Sequence, residues 1–269
     1  MNTVDVQQRE QAPGLRRVAV LGLGEAGGRI AADLAAAGVE VRGFDADPAR
    51  DVESISRVSD AVAAVEGCDV VLSVCSAKAA LEVAAGVLPS LQAGVVYADA
   101  NTASPELKRE LAALADDAGV GFADVALLGP IPTDGLRAPV LASGPTAQAF
   151  ADLFGPLGMP VEVVSDEAGD AAALKLVRSV FMKGLAAAVV ESMEAAEAMG
   201  RAEWLEREIE ALIGRQFLER ALEGSRKHAA RRVDEMEAAR DLLLELGVEP
   251  LVASASAAQL AGLANVERG

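Results

Sequence analysis

"RRVAVLGLGEAGGRIAADLAAAGVEVRGFDADP", residues Arg16–Pro48, carries the pattern that decides the fold. A β-branched run, "RVAVLG", leads into Gly22-Leu23-Gly24-Glu25-Ala26-Gly27, and an Ala-rich stretch with helical spacing follows. A second apolar run, "VEVRGFD", ends on Asp45. Gly22 permits a tight turn after the strand, and Gly24 lets the backbone approach an anion with no Cβ between them. Gly27 lets the helix lie close to the strand, so that the helix N-terminus faces the anion. A carboxylate at the end of the second strand accepts from both hydroxyls of a ribose. This order predicts a dinucleotide site built from Gly22, Leu23, Gly24, Glu25, Ala26, Gly27 and Asp45. A glycine-rich turn followed by a helix-capping acid is the plainer alternative. Asp45 repels a 2′-phosphate, Asp47 adds to that charge, and no Arg directly follows Asp45. NAD is therefore expected in preference to NADP.

Outward from this stretch, apolar runs continue to alternate with helical ones. "DVVLSVC", "GVVYADA", "GVGFADVAL", "APVLAS" and "PVEVV" read as strands, and "SAKAALEVAAGVL" and "SPELKRELAALADDAG" as helices. Ser104-Pro105-Glu106 has the order of an N-cap followed by a first-turn proline. Strands alternating with helices require crossover connections, which predicts an α/β, Rossmann-type, doubly wound and mostly parallel sheet. After about residue 165 the strand signals stop and the rest is helical. The expected organisation is a tail over 1–15, a dinucleotide-binding domain over 16–165, and an all-helical domain over 166–269, to which the resemblance described below assigns substrate binding and dimerisation.

Composition limits the partners. Of 269 residues, 52% are hydrophobic and 24% charged, a balance that sustains a packed core. A formal net charge of −17 opposes nucleic acid and anionic membrane surfaces, without excluding a small anion that feels only the local field of a pocket. Two cysteines, Cys68 and Cys75, and one histidine, His228, provide no zinc spacing, so no metal is expected. The cysteines read as small buried hydrophobes beside the strand "DVVLSVC". Apolar runs are interrupted by charge before membrane-spanning length, and the first residues lack the apolar core of a secretory signal. A cytoplasmic location is expected.

Taken together, these motifs resemble those of the β-hydroxyacid dehydrogenase superfamily, which includes 3-hydroxyisobutyrate and 6-phosphogluconate dehydrogenases. The nearer likeness is to the branch with a phosphogluconate-dehydrogenase-like C-terminal domain. The family's Gly-Leu-Gly-x-Met-Gly appears as Gly22 to Gly27, with Ala26 in the Met position. Its Ser-Thr segment appears as Asn101-Thr102-Ala103-Ser104-Pro105, and its substrate loop as Asp124 to Pro130, with Leu128 in place of a serine. Its catalytic segment, a glycine, then a lysine and an Asn four residues on, appears as Gly169, Lys175 and Ser179. The resemblance implies that Lys175 acts as general acid or base while hydride passes to or from a nicotinamide. It also implies that Ser76 and Asn101 lie by the cofactor. Thr102, Leu128, Gly129, Pro130, Arg178 and Ser179 are then substrate-binding residues, and the helical domain forms a homodimer. Residues four apart on a helix share a face, so Lys175 and Ser179 can meet one substrate. A partly desolvated lysine beside other cations, such as Arg178 or Lys183, titrates near neutrality. An ordinary surface lysine is the alternative, which the apolar flanks "AAAL" and "LVRSVF" disfavour.

His228, Arg231 and Arg232 form a second polar concentration. They read equally as a clamp for a substrate anion or as a solvated face paired with Asp234 and Glu235. Three functions remain open: a hydroxyacid-type dehydrogenase, an imine or pyrroline reductase, and a non-catalytic NAD-binding protein. Imine reductases generally carry Asp or Tyr where Lys175 stands, which favours the first.

Overall fold

The computed structural model describes residues 14–266; most of the expected tail, residues 1–13, lies outside the described residues. Two compact units make up the chain. Of the described residues, one unit comprises those up to Asn101 together with Leu111–Asp166; the other comprises Thr102–Glu110 and those from Glu167 onward. The sequence period had put Thr102–Glu110 with the first unit.

The first unit is an eight-stranded sheet with strands β1 (Arg17–Leu21), β2 (Glu40–Phe44), β3 (Ser56–Arg57), β4 (Val70–Ser73), β5 (Val96–Asp99), β6 (Gly121–Leu127), β7 (Val140–Ser143) and β8 (Val161–Ser165). Their order across the sheet is β3-β2-β1-β4-β5-β6-β7-β8. All pairs are parallel except β6 with β7. That connection is short and lacks a full crossover helix, so the chain turns back antiparallel. Helices α1 (Glu25–Ala36), α2 (Ala61–Val65), α3 (Ala77–Val87), α4 (Pro105–Asp117), α5 (Ile131–Asp134) and α6 (Ala147–Phe154) lie between strands. Of these, α2, α5 and α6 and the two-residue β3 are additions to the sequence reading. Three of those four are too short to show a period.

Strand β1 is buried from Val18 to Leu21, as a central strand covered on both faces must be, and this explains its unbroken apolar run. Its side chains join Ile30 and Leu34 of α1, Leu72 of β4, Val125 of β6 and Phe150 and Phe154 of α6 in one core. The chain leaves β1 for β2 and β3 on one side and returns to β4 on the other. The carboxyl ends of β1 and β4 are thus the switch point, where ligands of such sheets bind. Register also aligns Ser73, Asp99, Asp124 and Ser143 across β4 to β7, all fully buried.

The second unit is helical: α7 (Asp170–Ala198), α8 (Ala202–Ile213), α9 (Arg215–Lys227), α10 (Ala229–Glu245) and α11 (Leu251–Val266). The 29-residue α7 spans roughly 43 Å at 1.5 Å per residue. It contributes to two small cores, Leu176 with Met236, Ala239 and Leu260, and further along Val189 and Met193 with Leu218 and Ala221. The segment "RAEWLEREIEALIGRQFLERALEG" breaks into α8 and α9 at Gly214, whose φ of +80° ends a helix without the Cβ penalty. Gly169, at φ +103°, caps α7, and a Cβ there would lie 2.9 Å from the carbonyl oxygen of Pro105, so Thr102–Glu110 reaches the start of α7 only past a glycine. Among the described residues no helix is long and apolar enough to cross a membrane.

Two alanine substitutions check this account of the glycines. A Cβ at Gly27 would collide with the carbonyl oxygen of Gly22, whereas one at Gly86, in α3, would meet nothing within 4 Å. Gly27→Ala is expected to lower the unfolding free energy by about 1–3 kcal/mol. Gly86→Ala is expected to raise it by up to about 1 kcal/mol. Urea melts of the two variants beside the parent chain test both signs.

Candidate functional site

The glycine loop lies where β1 ends. Gly22 donates its N–H to Phe44 O at 2.8 Å, and Val74 donates to Leu21 O at 2.7 Å, so β1 is held between its neighbours up to its last residue. At Gly22, φ is +98°, and a Cβ would stand 2.7 Å from the carbonyl carbon of Val74 and 3.0 Å from Cys75 Cα. Gly24 is the N-cap of α1 and brings no side chain to its first-turn N–H groups, while a Cβ there would meet nothing within 4 Å. That open, donor-rich helix start with Glu25 exposed, Ala26 half-buried and Gly27 buried suits a pyrophosphate. Leu23 is buried, and its N–H donates to Asp45 Oδ2 at 2.7 Å. Asp45 thus stands against the glycine loop, its other oxygen accepting from the N–H of Asp47 at 2.8 Å.

Ser76 is exposed at the N-cap of α3, its hydroxyl accepting from the Ala79 N–H at 3.3 Å. Asn101 is buried and donates through Nδ2 to Ser73 Oγ at 3.0 Å and Asp99 Oδ2 at 2.5 Å. Its Oδ1 is a buried acceptor with no protein partner. A glycine loop closed to a Cβ at Gly22 and Gly27, an uncapped helix start, the Asp45 carboxylate beside it and this unpartnered acceptor together fit a dinucleotide. Cys68 is buried as expected, and burial pushes its thiol up to about 11. Cys75 is corrected: it is exposed, because β4 ends at Ser73 and Cys75 lies in the loop beyond it.

Leu128, Gly129 and Pro130 are half-buried in the loop after β6, where Leu128 N donates to Pro139 O at 2.9 Å. The loop is clasped to α1. Arg29 donates to Pro132 O at 2.8 Å and pairs with Asp33, which accepts from Leu136 N at 3.0 Å.

In the helical unit, Lys175 Nζ donates to Thr102 Oγ1 at 2.7 Å. One helical turn on, Ser179 Oγ donates to Glu235 Oε1 at 2.5 Å, and Lys183 Nζ donates to the same oxygen at 2.8 Å and to Ser179 Oγ at 3.2 Å. Burial drives the Lys175 ammonium down to about 8; Glu235 opposes that, while Lys108, Lys183 and Arg231 reinforce it. Glu235 sits at about 2, held there against burial by Lys183, Lys175 and the Ser179 hydroxyl, so it remains ionised.

Lys183 is therefore one of the cations beside Lys175, as expected, but Arg178 is exposed and is not among the strongest. Arg231 is exposed on the turn before Glu235. Arg232 turns to Ser225 Oγ at 3.0 Å and lies over Gly224, and burial lowers its guanidinium. His228 is half-buried at the break between α9 and α10. Of the three, Arg232 is taken up by Ser225, so the cluster does not form a single face. Glu235 and Lys108 were missed as site residues. Glu235 is 56 residues from Ser179, and neither it nor Lys108 stands in a local motif. Among the described residues no group of three His, Cys, Asp or Glu side chains is placed to hold a metal ion.

Residues 17–149 match the family described as the NAD binding domain of 6-phosphogluconate dehydrogenase, and residues 196–263 match a domain of unknown function, DUF1932. The conserved protein MTH1747, of unknown function and described as structurally similar to 3-hydroxyacid dehydrogenases, is 29% identical. The match covers 94% of this chain and 98% of that one, with a TM-score of 0.67. A 3-hydroxyisobutyrate dehydrogenase from Salmonella typhimurium superposes with a TM-score of 0.83 at 19% identity, over 94% and 96% of the two chains. A reductive aminase from Aspergillus terreus, solved with NADPH and ethyl levulinate, reaches 0.66 at 20% identity over 95% of each chain. The fold is that of an NAD(P)-binding, dehydrogenase-like protein. Residues 17–149 thus carry the NAD binding domain described for 6-phosphogluconate dehydrogenase, and the fold is shared with 3-hydroxyisobutyrate dehydrogenases.

The Lys183–Glu235 pair yields a stability prediction. Removing one partner of a buried pair leaves the other charge uncompensated, so Glu235→Ala is expected to lower stability by about 3–5 kcal/mol. Lys183→Met in the same chain is expected to recover part of that loss, which a double-mutant cycle reads directly. Because the Glu235 carboxyl is held below its ordinary value of 4.5, its contribution is complete above about pH 4.5 and disappears as pH falls towards 2. Melts between those limits should fall more steeply in the parent chain than in Glu235→Gln.

Proposed function

We propose that this chain is an NAD(P)-dependent oxidoreductase, favouring NAD, that interconverts a hydroxyl and a carbonyl on a small hydroxyacid-like anion. The observation that carries the reading is Lys175: half-buried, fixed by Thr102 at 2.7 Å, and titrating at about 8. When bound, the nicotinamide supplies or takes up the hydride. In reduction the protonated Lys175 gives its proton to the carbonyl oxygen, and in oxidation the neutral amine takes the proton from the hydroxyl. The Thr102 hydroxyl accepts one Nζ hydrogen, fixing where the remaining ones and the lone pair point. Lys108, Lys183 and Arg231 add positive charge around Lys175 and support an anionic substrate, against one fixed negative charge, Glu235.

Gly22 to Gly27 would hold the pyrophosphate and Asp45 the ribose. Ser76 and Asn101 stay assigned to the cofactor, and Leu128, Gly129, Pro130, Arg178, His228 and Arg231 to the substrate. Ser179 and Arg232 are engaged with other side chains and serve the reading as supports. The proposal includes a homodimer, supported by Leu174, Val177 and Phe181, which lie exposed along one face of α7. Phe181→Glu is expected to turn a dimer into a monomer in sedimentation equilibrium.

A screen of short hydroxyacids with NAD tests the reaction. Lys175→Met should reduce turnover of the accepted substrate by about 10²- to 10⁴-fold while NADH binding changes less than about twofold. The pH profile should follow the lysine: oxidation rises through about pH 8 as the amine loses its proton, and reduction falls there. Equal turnover in Lys175→Met would reject the catalytic role, and turnover only with C=N substrates would move the assignment to an imine reductase.

A further inference from the structure

Arg57, on the edge strand β3, reaches the turn that carries Asp45. Register pairs Arg57 with Gly43, which brings its side chain to the end of β2. There its guanidinium donates to three carbonyl oxygens of one turn: Arg50 O at 2.9 Å, Asp45 O at 3.2 Å and Asp47 O at 3.3 Å. The turn's carboxylates fold inward onto its own N–H groups. Asp45 Oδ1 accepts from Asp47 N, and Asp47 Oδ1 accepts from Ala49 N at 3.0 Å. Asp47 Oδ2 also pairs with the exposed Arg50 at 3.5 Å. Asp45 is thus held twice, its carboxylate by Leu23 N and Asp47 N and its carbonyl by Arg57.

We infer that Arg57 is the positioning residue for dinucleotide choice: it clamps the turn that aims Asp45 and Asp47, and so selects a free ribose 2′-hydroxyl over a 2′-phosphate. The inference rests on the dinucleotide reading of the glycine loop. Arginine beside a nucleotide ribose commonly suggests a phosphate clamp, but here the planar fork is spread across three carbonyls. Carbonyl oxygens compete for its donors on the protein side, and Asp45 and Asp47, in the same turn, would repel a phosphate. The guanidinium geometry matters, because an ammonium at the same place cannot direct donors to three oxygens along a planar fork. A turn held in its binding shape before the ligand arrives avoids the ordering cost on binding.

The test is a fluorescence titration of the full chain with NADH and with NADPH, for the parent, Arg57→Ala, Arg57→Lys and Arg50→Ala, with thermal melts of each. The parent is expected to bind NADH more tightly. Arg57→Ala should weaken NADH by about tenfold, roughly the effect of losing one charge-assisted hydrogen bond, and leave NADPH within about twofold. Arg57→Lys should show a smaller loss of the same kind, and Arg50→Ala, whose ion pair is exposed, less than about twofold. A preference unchanged in Arg57→Ala, or lost equally for both nucleotides, overturns the inference while the dinucleotide reading stands. If Arg57→Ala melts early, Arg57→Lys decides by the same criterion. A parent chain that binds neither nucleotide removes the reading and the inference together.

Discussion

No side chain fits where α1 crosses behind the end of β1, and this constraint organises the first unit. A Cβ at Gly27 would run into Gly22, and one at Gly22 would run into the backbone of Val74. With both Cβ atoms absent, the start of α1 closes onto β1 and β4, and its first-turn N–H groups emerge at the switch point of the sheet. Leu23 then delivers its N–H to Asp45, which ties the loop after β1 to the end of β2. From there the turn over 45–50 and its support on β3 follow. The same helix holds the loop after β6 through Arg29 and Asp33, so one backbone contact governs the placement of several functional segments.

The helical unit solves a different problem, how to keep several like charges in partly dry surroundings. Lys175 and Lys183 are eight residues apart on α7, and Lys108 and Arg231 add their charge from other segments. Glu235 is the counter-ion that makes the group tolerable, and Ser179 completes its hydrogen bonding. Without a paired carboxylate, burying two ammonium groups would cost far more than packing could return. The arrangement also leaves Lys175 at an intermediate value near 8, where both protonation states are populated near neutrality. Ser179, which stands where the resembled family carries Asn, therefore supports the counter-ion and is not an amide free to meet a substrate.

Much of the first unit was legible because its signals are local. Central parallel strands are buried on both faces and appear as apolar runs, and the order strand, glycine loop, helix, strand, acid fits one mechanical arrangement. The parts that escaped were short or depended on distant neighbours. The two residues of β3 have no period of their own, and their edge position is conferred by β2. Cys75 and Cys68 look alike in sequence, yet one lies within the buried end of a strand's approach and the other two residues beyond a strand's end.

The sequence by itself determined the fold class, the glycine cradle, Asp45 and the long helix bearing Lys175, because each depends on spacing within about thirty residues. Tertiary structure alone decided the surroundings of those groups. It selected Glu235 over Asp234 as the partner of Lys183, directed Arg232 to Ser225 while Arg231 stayed exposed, and joined Thr102 to Lys175 across 73 residues. A side chain's charge state and orientation depend on desolvation and on the few groups within hydrogen-bonding reach. Those neighbours are chosen by how helices and strands pack, which no local pattern encodes.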